Sequence, residues 1–194
     1  MDRQTLKAAS KEQIKGKLGI LFLISLVIGL ISGAVAIIPK IGSIASALIS
    51  APFALATVII YLGVAEGRKP ELRDAFSQFK NILPAFCTQF LVGLFTFLWS
   101  LLLIVPGIIK ACAYSQAMYV LAEDPGISPK EAIDKSKEMM EGHKMEYFVL
   151  SLSFIGWALL APLTLGILYI WLLPYMQTTF ANYYKSLKGE FRAE

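Results

Sequence analysis

The segment from Phe148 to Phe180 contains no charged residue. A membrane-spanning helix needs about 20 apolar residues, because the hydrocarbon core of a bilayer is about 30 Å thick. This segment is too long for a single span, and it contains the turn-like sequence APLTLG at 161–166. We therefore expect it to cross a membrane, turn, and cross back. This expectation places the chain among integral membrane proteins.

The composition favours the same class. Hydrophobic residues make up 56% of the chain and charged residues 16%, whereas a soluble domain averages about 45–50% apolar and about 25% charged residues. We predict one all-α integral membrane domain over residues 1–194, with six transmembrane helices arranged as three hairpins. The predicted spans are 18–38, 41–65, 82–105, 108–122, 147–161 and 166–184.

Three polar segments, at about 3–15, 70–80 and 129–141, are predicted to be amphipathic helices that lie on the cytoplasmic membrane surface. In the second segment, four apolar residues share one helical face: Leu72, Ala75, Phe76 and Phe79. The third begins with a capping box, in which Ser128 is the N-cap and Glu131 is the third helical residue.

The turn between the third and fourth spans is predicted at Pro106-Gly107. At about 1.5 Å per residue, the fourth predicted span, 108–122, is about 22 Å long, which is shorter than the hydrocarbon core. It must continue past Ala122, tilt against a thinned bilayer, or begin below the outer surface. The break can accordingly lie at the outer surface or within the membrane.

The distribution of charge predicts the orientation. With six spans, all Lys and Arg residues except Lys40 and Lys110 fall on the side that holds both termini. Because cytoplasmic loops are enriched in Lys and Arg, this side is expected to be cytoplasmic. Trp99, Trp157 and Trp171 map near the outer turns, where tryptophan is common at the membrane interface.

A candidate polar site lies within the spans. Lys110 can extend its long stem to the outer headgroups, or it can face the bundle interior and meet a lipid phosphate or an anionic substrate. The polar residues of the last span share one helical face, which should point into the bundle. They can form interhelical hydrogen bonds or line a polar cavity for a headgroup or a peptide. The candidate site residues are Lys110, Tyr114, Gln116, Tyr175, Thr178, Thr179 and Asn182.

The sequence contains no enzyme signature. HExxH, GxSxG and P-loop motifs and paired intramembrane aspartates are missing. Cys87 and Cys112 have no metal-ligand spacing, and His143 is the single histidine. We therefore predict no catalytic residue, no cofactor and no metal site. Basic residues clustered with aromatic residues on a soluble face are also lacking, so nucleic acid is not an expected partner.

Several segments carry a resemblance to a known family. They are Leu98–Ser128, the EAI at 131–133, the KEMMEGHK at 137–144, Leu150–Leu160 and Leu172–Tyr184. They resemble a bacterial family of integral membrane proteins, domain of unknown function 975, found mainly in Gram-positive bacteria. The resemblance implies a six-span plasma-membrane protein, and it supplies no activity or catalytic residue. In layout the family is similar, more distantly, to the membrane domain of glycerophosphodiester phosphodiesterases, here without the catalytic domain.

Three functions remain as hypotheses. The first is a non-enzymatic protein of the bacterial plasma membrane, with both termini cytoplasmic, that binds lipid or a membrane-active peptide or assists a partner membrane complex. Its expected partners are anionic headgroups on the cytoplasmic side, with a protein partner or a second copy as further options. The alternative is a small transporter or channel. The third, a lipid-headgroup enzyme, has the least support because catalytic motifs are missing.

Overall fold

The computed structural model describes residues 3–36, 42–160, 164 and 166–191, and every regular element in these ranges is helical. The α-helices are α1 (Arg3–Ile14), α2 (Leu18–Ala36), α3 (Gly42–Ala65), α4 (Ile82–Leu102), α5 (Ile104–Tyr114), α6 (Ala117–Glu123), α7 (Pro129–Met139), α8 (Lys144–Leu160) and α9 (Ile167–Leu187). The predicted turn at 39–40, and most of the one at 161–166, lie outside the described residues.

Among the described residues, four helical segments are long and apolar enough to cross a membrane. They are Leu18–Val35, Ser46–Ala65, Leu72–Leu102 and Ile104–Glu123. This confirms the all-α class with helices able to span a membrane. The last two predicted spans coincide with α8 and α9, of which α8 has 17 residues and begins with the charged residues Lys144 and Glu146.

The candidate spans differ in how much of their surface the protein covers. In Leu18–Val35 and in Leu72–Leu102, only 11% of the most apolar stretch is buried within the protein. The buried share is 56% in Ser46–Ala65 and 50% in Ile104–Glu123. Large apolar side chains of the peripheral segments point outwards, and Leu101 is 74% exposed. A soluble monomer rarely exposes so large an apolar surface. The outer faces of these helices are therefore suited to contact with lipid.

The break between α4 and α5 lies at Leu103, not at Pro106-Gly107 as predicted. Leu103 is extended, with φ −159° and ψ 142°. Pro106 lies in the first turn of α5, where a missing N–H removes no helical hydrogen bond. Gly107 instead allows close helix packing, because a Cβ built on it would lie 2.7 Å from the Cα of Ser100.

The segment predicted as a short fourth span starts earlier than expected. It runs from Ile104 to Glu123 and is interrupted by a turn at Ser115 and Gln116, between α5 and α6. Ser136 of α7 bridges this interruption, because its hydroxyl donates to the carbonyl of Ala113 at 2.8 Å and accepts from the N–H of Gln116 at 3.1 Å. The earlier start makes the segment long enough to cross a membrane.

The predicted α-helix at 70–80 is wrong. The chain forms two short 3₁₀ helices there, Leu72–Phe76 and Phe79–Asn81. The rings of Phe76 and Phe79 both contact Phe53 of α3, at centroid distances of 5.8 and 5.1 Å. A 3₁₀ helix has three residues per turn, so it places residues i and i+3 on the same side. The local geometry therefore follows from packing on α3.

The other two amphipathic segments are helices, and both pack into the protein. The capping box that starts α7 is present, with Glu131 N–H donating to the Ser128 hydroxyl at 3.2 Å. On α1, Leu6 and Ile14 are each 1% exposed, and the helix packs mainly along α9. The apolar face of α1 is thus covered by protein, and the position of this helix at the membrane surface stays a prediction.

Contacts bring the charged segments together at one end of the molecule. Lys185 at the end of α9 pairs with Glu66 after α3 at 3.4 Å, and Lys188 pairs with Glu123 at the end of α6 at 2.9 Å. Tyr183 donates its hydroxyl proton to the carbonyl of His143, just before α8, at 3.0 Å. The helix ends that were assigned to one side from charge alone are thus neighbours in space.

Candidate polar site within the bundle

The polar residues of α9 lie in the interior, as expected. Tyr175 is 5% exposed, and Thr178, Thr179 and Asn182 are at most 1% exposed. Thr179 donates its hydroxyl proton to the carbonyl of Tyr175 one turn earlier, at 2.7 Å. The hydroxyl of Thr178 and the Oδ1 of Asn182 have no hydrogen-bond partner among the described residues. This face therefore combines satisfied and unsatisfied polar groups in a buried setting.

The partner of this face is α1. The amide nitrogen of Asn182 donates to the Ser10 hydroxyl at 2.9 Å and to the Oε1 of Gln13 at 2.7 Å. Gln13 in turn donates from Nε2 to the carbonyl of Ala65, at the end of α3, at 3.0 Å. Buried polar groups are stable only when they are paired. These bonds fix α1 against α3 and α9.

Two lysines of α1 lie beside the aromatic residues above this network. The Nζ of Lys7 is 4.4 Å from the ring centroid of Phe154 on α8. The Nζ of Lys11 is 5.6 Å from the centroid of Tyr175 and 5.9 Å from that of Trp171. Such distances allow a favourable cation–π interaction. The cations that face the α9 region thus come from the N-terminal helix.

The charges on α1 also act on one another. Burial lowers the pKa of Lys7, and the positive charges of Arg3 and Lys11 lower it further. The three residues follow one another at intervals of four, so they lie along one side of α1. A cation is less stable where other cations surround it and water is partly excluded.

Lys110, the intramembrane lysine singled out from the sequence, has a different neighbour. Its Nζ lies 4.7 Å from the ring centroid of Trp99, so it contacts the helix that precedes its own in the α4–α5 hairpin. Among the described residues, Lys110 therefore forms no hydrogen bond, ion pair or cation–π contact with the polar residues of α9.

Tyr114 and Gln116 belong to a second polar region, next to α7. Tyr114 packs against Phe95 with a centroid distance of 6.2 Å, and the Nζ of Lys137 lies 5.7 Å from its ring. Gln116 is 1% exposed and donates from its side chain to Ser115 at 2.7 Å. The seven predicted site residues are thus divided among three places in the fold.

A cavity of about 710 Å³ opens at the charged end, between α1, α3 and α9. Its polar lining includes Glu12, Gln13, Glu66, Asn182 and Lys185. Burial alone would raise the pKa of Glu66, but hydrogen bonds and positive charge from Arg68 and Lys185 outweigh this effect and keep the pKa below its ordinary value of 4.5. Glu66 is therefore a stable carboxylate that ties α3 to α9.

The sequence analysis missed the contribution of α1. The sequence feature that could have indicated this contribution is the four-residue spacing of Arg3, Lys7 and Lys11, with the polar Ser10 beside them. The apolar face of α1 alone did not indicate it. Among the described residues, no group of His, Cys, Asp and Glu is arranged to hold a metal ion. The site is thus defined by lysines, aromatic rings and hydrogen bonds between neutral groups.

These features define a class: an all-helical protein with several helices able to cross a membrane and a polar interior against which an N-terminal amphipathic helix packs. The chain belongs to the family described as Protein of unknown function (DUF975), which it matches over residues 1–113 and 101–190. No curated protein and no solved structure matches the chain. The likeness to the membrane domain of glycerophosphodiester phosphodiesterases stays a prediction.

Proposed function

We propose that this protein is a non-enzymatic, six-span protein of the bacterial plasma membrane that binds membrane lipid. In this proposal α8 and α9 are the fifth and sixth spans, and both termini are cytoplasmic. Two further roles were predicted: assisting a partner membrane complex and binding a membrane-active peptide. Either role would use the same membrane-embedded helices.

The observation that supports lipid binding is the position of the α1 lysines. Lys7 and Lys11 extend from a helix packed into the bundle towards the aromatic rings of Phe154, Trp171 and Tyr175. A cation held against apolar helices and partly shielded from water is less stable unless an anion or a polar group accompanies it. Basic residues near a membrane surface also attract anionic headgroups, by about 1 kcal/mol each.

The alternative, a transporter or channel, has less support from the geometry. Asn182 lines the cavity at the charged end, and a solute pathway would need the polar face of α9 to be open beyond this residue. Ser10 and Gln13 of α1 are instead hydrogen-bonded to Asn182, and Thr178 is fully buried. Opening the face would require α1 to leave these partners. The packed arrangement therefore favours binding at the edge of the bundle over passage through it.

Native mass spectrometry of the full chain tests the proposal. The protein is extracted in a mild detergent, washed in a delipidating detergent, and then released in the gas phase with any lipid that it retains. We expect at least one phospholipid to stay bound through the wash. Loss of all lipid, together with failure to rebind phospholipid from mixed micelles, would count against the proposal.

A further inference from the structure

Among the residues that the structure describes, three basic residues on one side of α1 have no carboxylate partner. Arg3, Lys7 and Lys11 form no ion pair within the described part of the chain. Other cations at this end do: Lys15 pairs with Glu12, and Lys185 pairs with Glu66. Within the described residues, no ion pair compensates the positive charge of this group.

Accumulated positive charge beside apolar groups favours a bound anion. Lys7 is half-buried, whereas Arg3 and Lys11 are exposed, so a ligand can reach all three from one side. The pKa of Lys7 is lowered by burial and by its two cationic neighbours, and a nearby anion would reverse the second effect. Phosphate oxygens accept hydrogen bonds from several cations at once.

The surroundings of these cations indicate that the anion belongs to a lipid. The ring of Phe154 lies 5.4 Å from that of Tyr175, which stacks on Trp171 at 4.8 Å. Trp171 contacts Trp157 at 6.4 Å, and Trp157 is 46% exposed. A row of aromatic rings therefore leads from the lysines to the lateral surface of the helix bundle.

The helices that carry Trp157 and Trp171 also expose apolar side chains. Ile155 of α8 is 49% exposed, and Ile170 and Leu173 of α9 are 38% and 39% exposed. Burying such surface against acyl chains is favourable, whereas a free phosphate ion cannot bury it. The pattern of a charged group next to an apolar face matches the two parts of a phospholipid.

We propose that Arg3, Lys7 and Lys11 bind the phosphate of an anionic phospholipid, whose acyl chains lie along the exposed faces of α8 and α9. This inference rests on the proposed lipid-binding function and adds the headgroup charge and the residues that recognise it. The row of aromatic rings forms the side of the site that separates the headgroup from the chains.

The test compares phosphatidylglycerol with phosphatidylcholine on the purified full-length protein. Native mass spectra are recorded after addition of each lipid at equal concentration. We expect the wild type to retain phosphatidylglycerol preferentially. We expect the Lys7→Gln/Lys11→Gln variant to bind phosphatidylglycerol on the order of 30-fold more weakly, because each basic residue contributes about 1 kcal/mol, or about fivefold. Its binding of phosphatidylcholine should fall much less, because the choline cation already balances the phosphate charge of that lipid.

Two matched variants control for the loss of charge itself. Lys15→Gln removes an exposed lysine that pairs with Glu12, and Lys110→Gln removes a lysine that lies over Trp99 in another hairpin. Both should keep the preference for phosphatidylglycerol. The Lys7→Arg/Lys11→Arg variant keeps the charge and should keep the preference as well, which makes the test valid even if the glutamine variant folds poorly.

Each other outcome overturns a defined part of the argument. Equal phosphatidylglycerol binding by the wild type and the Lys7→Gln/Lys11→Gln variant would refute the assigned site but leave lipid binding intact. Displacement of phosphatidylglycerol by inorganic phosphate at millimolar concentration would show that the site recognises the ion rather than a lipid. Retention of neither lipid would refute the proposed function itself.

Discussion

Gly107 of α5 lies against Ser100 of α4, and its missing side chain allows the two helices to approach each other there. A Cβ at this position would be 2.2 Å from the Oγ of Ser100 and 2.7 Å from its Cα. Rotation of the serine side chain could relieve the first contact, but the second involves the backbone. The two helices would have to move apart to accept even a methyl group.

Gly107→Ala is therefore expected to destabilise the protein by about 1–3 kcal/mol, the usual effect of inserting an extra carbon into a packed contact. The higher helical preference of alanine offsets only about 0.5–1 kcal/mol of this. The measurement is the thermal midpoint in detergent, followed by circular dichroism. Gly93→Ala in α4 is the control, because a Cβ there meets no heavy atom within 4 Å. Equal midpoints for both variants would refute the close contact.

At the scale of the element, local signals in the sequence predicted helix starts better than helix breaks. The capping box of Ser128 and Glu131 correctly located the start of α7, because its hydrogen bonds join residues three apart. The break at Leu103 has no such signal, since its position depends on how α5 packs against Ser100. The 3₁₀ turns at 72–81 likewise depend on Phe53, which is distant in sequence.

The same reason limited the prediction of the site. The buried polar face of α9 follows from its spacing, since residues three and four apart share a helical face. Its partner does not, because Ser10 and Asn182 are separated by 172 positions. Lys110 was the more conspicuous cation in the sequence, but its neighbour in space is Trp99. Long-range packing, rather than local pattern, thus determines which cation meets which polar face.

Asn182 should control the attachment of α1 as an element. Asn182→Ala removes the hydrogen bonds to Ser10 and Gln13, and each such bond stabilises the folded state by about 0.5–1.5 kcal/mol. We expect α1 to detach more often, so trypsin should cleave at Lys7 and Lys11 several times faster than in the wild type. Gln177→Ala on the same helix is the control, because Gln177 is only half-buried. Unchanged cleavage in Asn182→Ala would show that apolar packing alone holds α1.

At the scale of the whole molecule, ion pairs at the charged end connect elements that are far apart in sequence. Glu66 joins the end of α3 to Lys185 of α9, and Glu123 joins the end of α6 to Lys188. Both pairs are partly exposed to solvent, and fully exposed ion pairs contribute at most about 1 kcal/mol each. Their importance lies in fixing the relative positions of α3, α6 and α9 at one end.

The Glu66 pair predicts how stability depends on pH. The pKa of Glu66 lies below 4.5 in the folded protein, so its stabilising effect is complete above the unfolded-state pKa and is lost as the pH falls through the folded-state value. We expect the thermal midpoint to drop between pH 5 and pH 3, and to drop less in Glu66→Gln. The comparison uses differential scanning fluorimetry at several pH values. Identical pH profiles would show that this pair contributes nothing to stability.

The last prediction concerns the orientation of the whole bundle in the membrane. If the charged end is cytoplasmic, the turns at Leu103 and Thr164 face outwards, whereas Glu138 on α7 faces the cytoplasm. Single cysteines are placed at these positions in a Cys87→Ala/Cys112→Ala background. In intact cells, a membrane-impermeant maleimide should label Leu103→Cys and Thr164→Cys, and it should label Glu138→Cys only after the membrane is opened. Labelling of Glu138→Cys in intact cells would reverse the orientation. Labelling of Leu103→Cys but not Thr164→Cys would reject the six-span arrangement, because it would leave the α8–α9 turn on the wrong side.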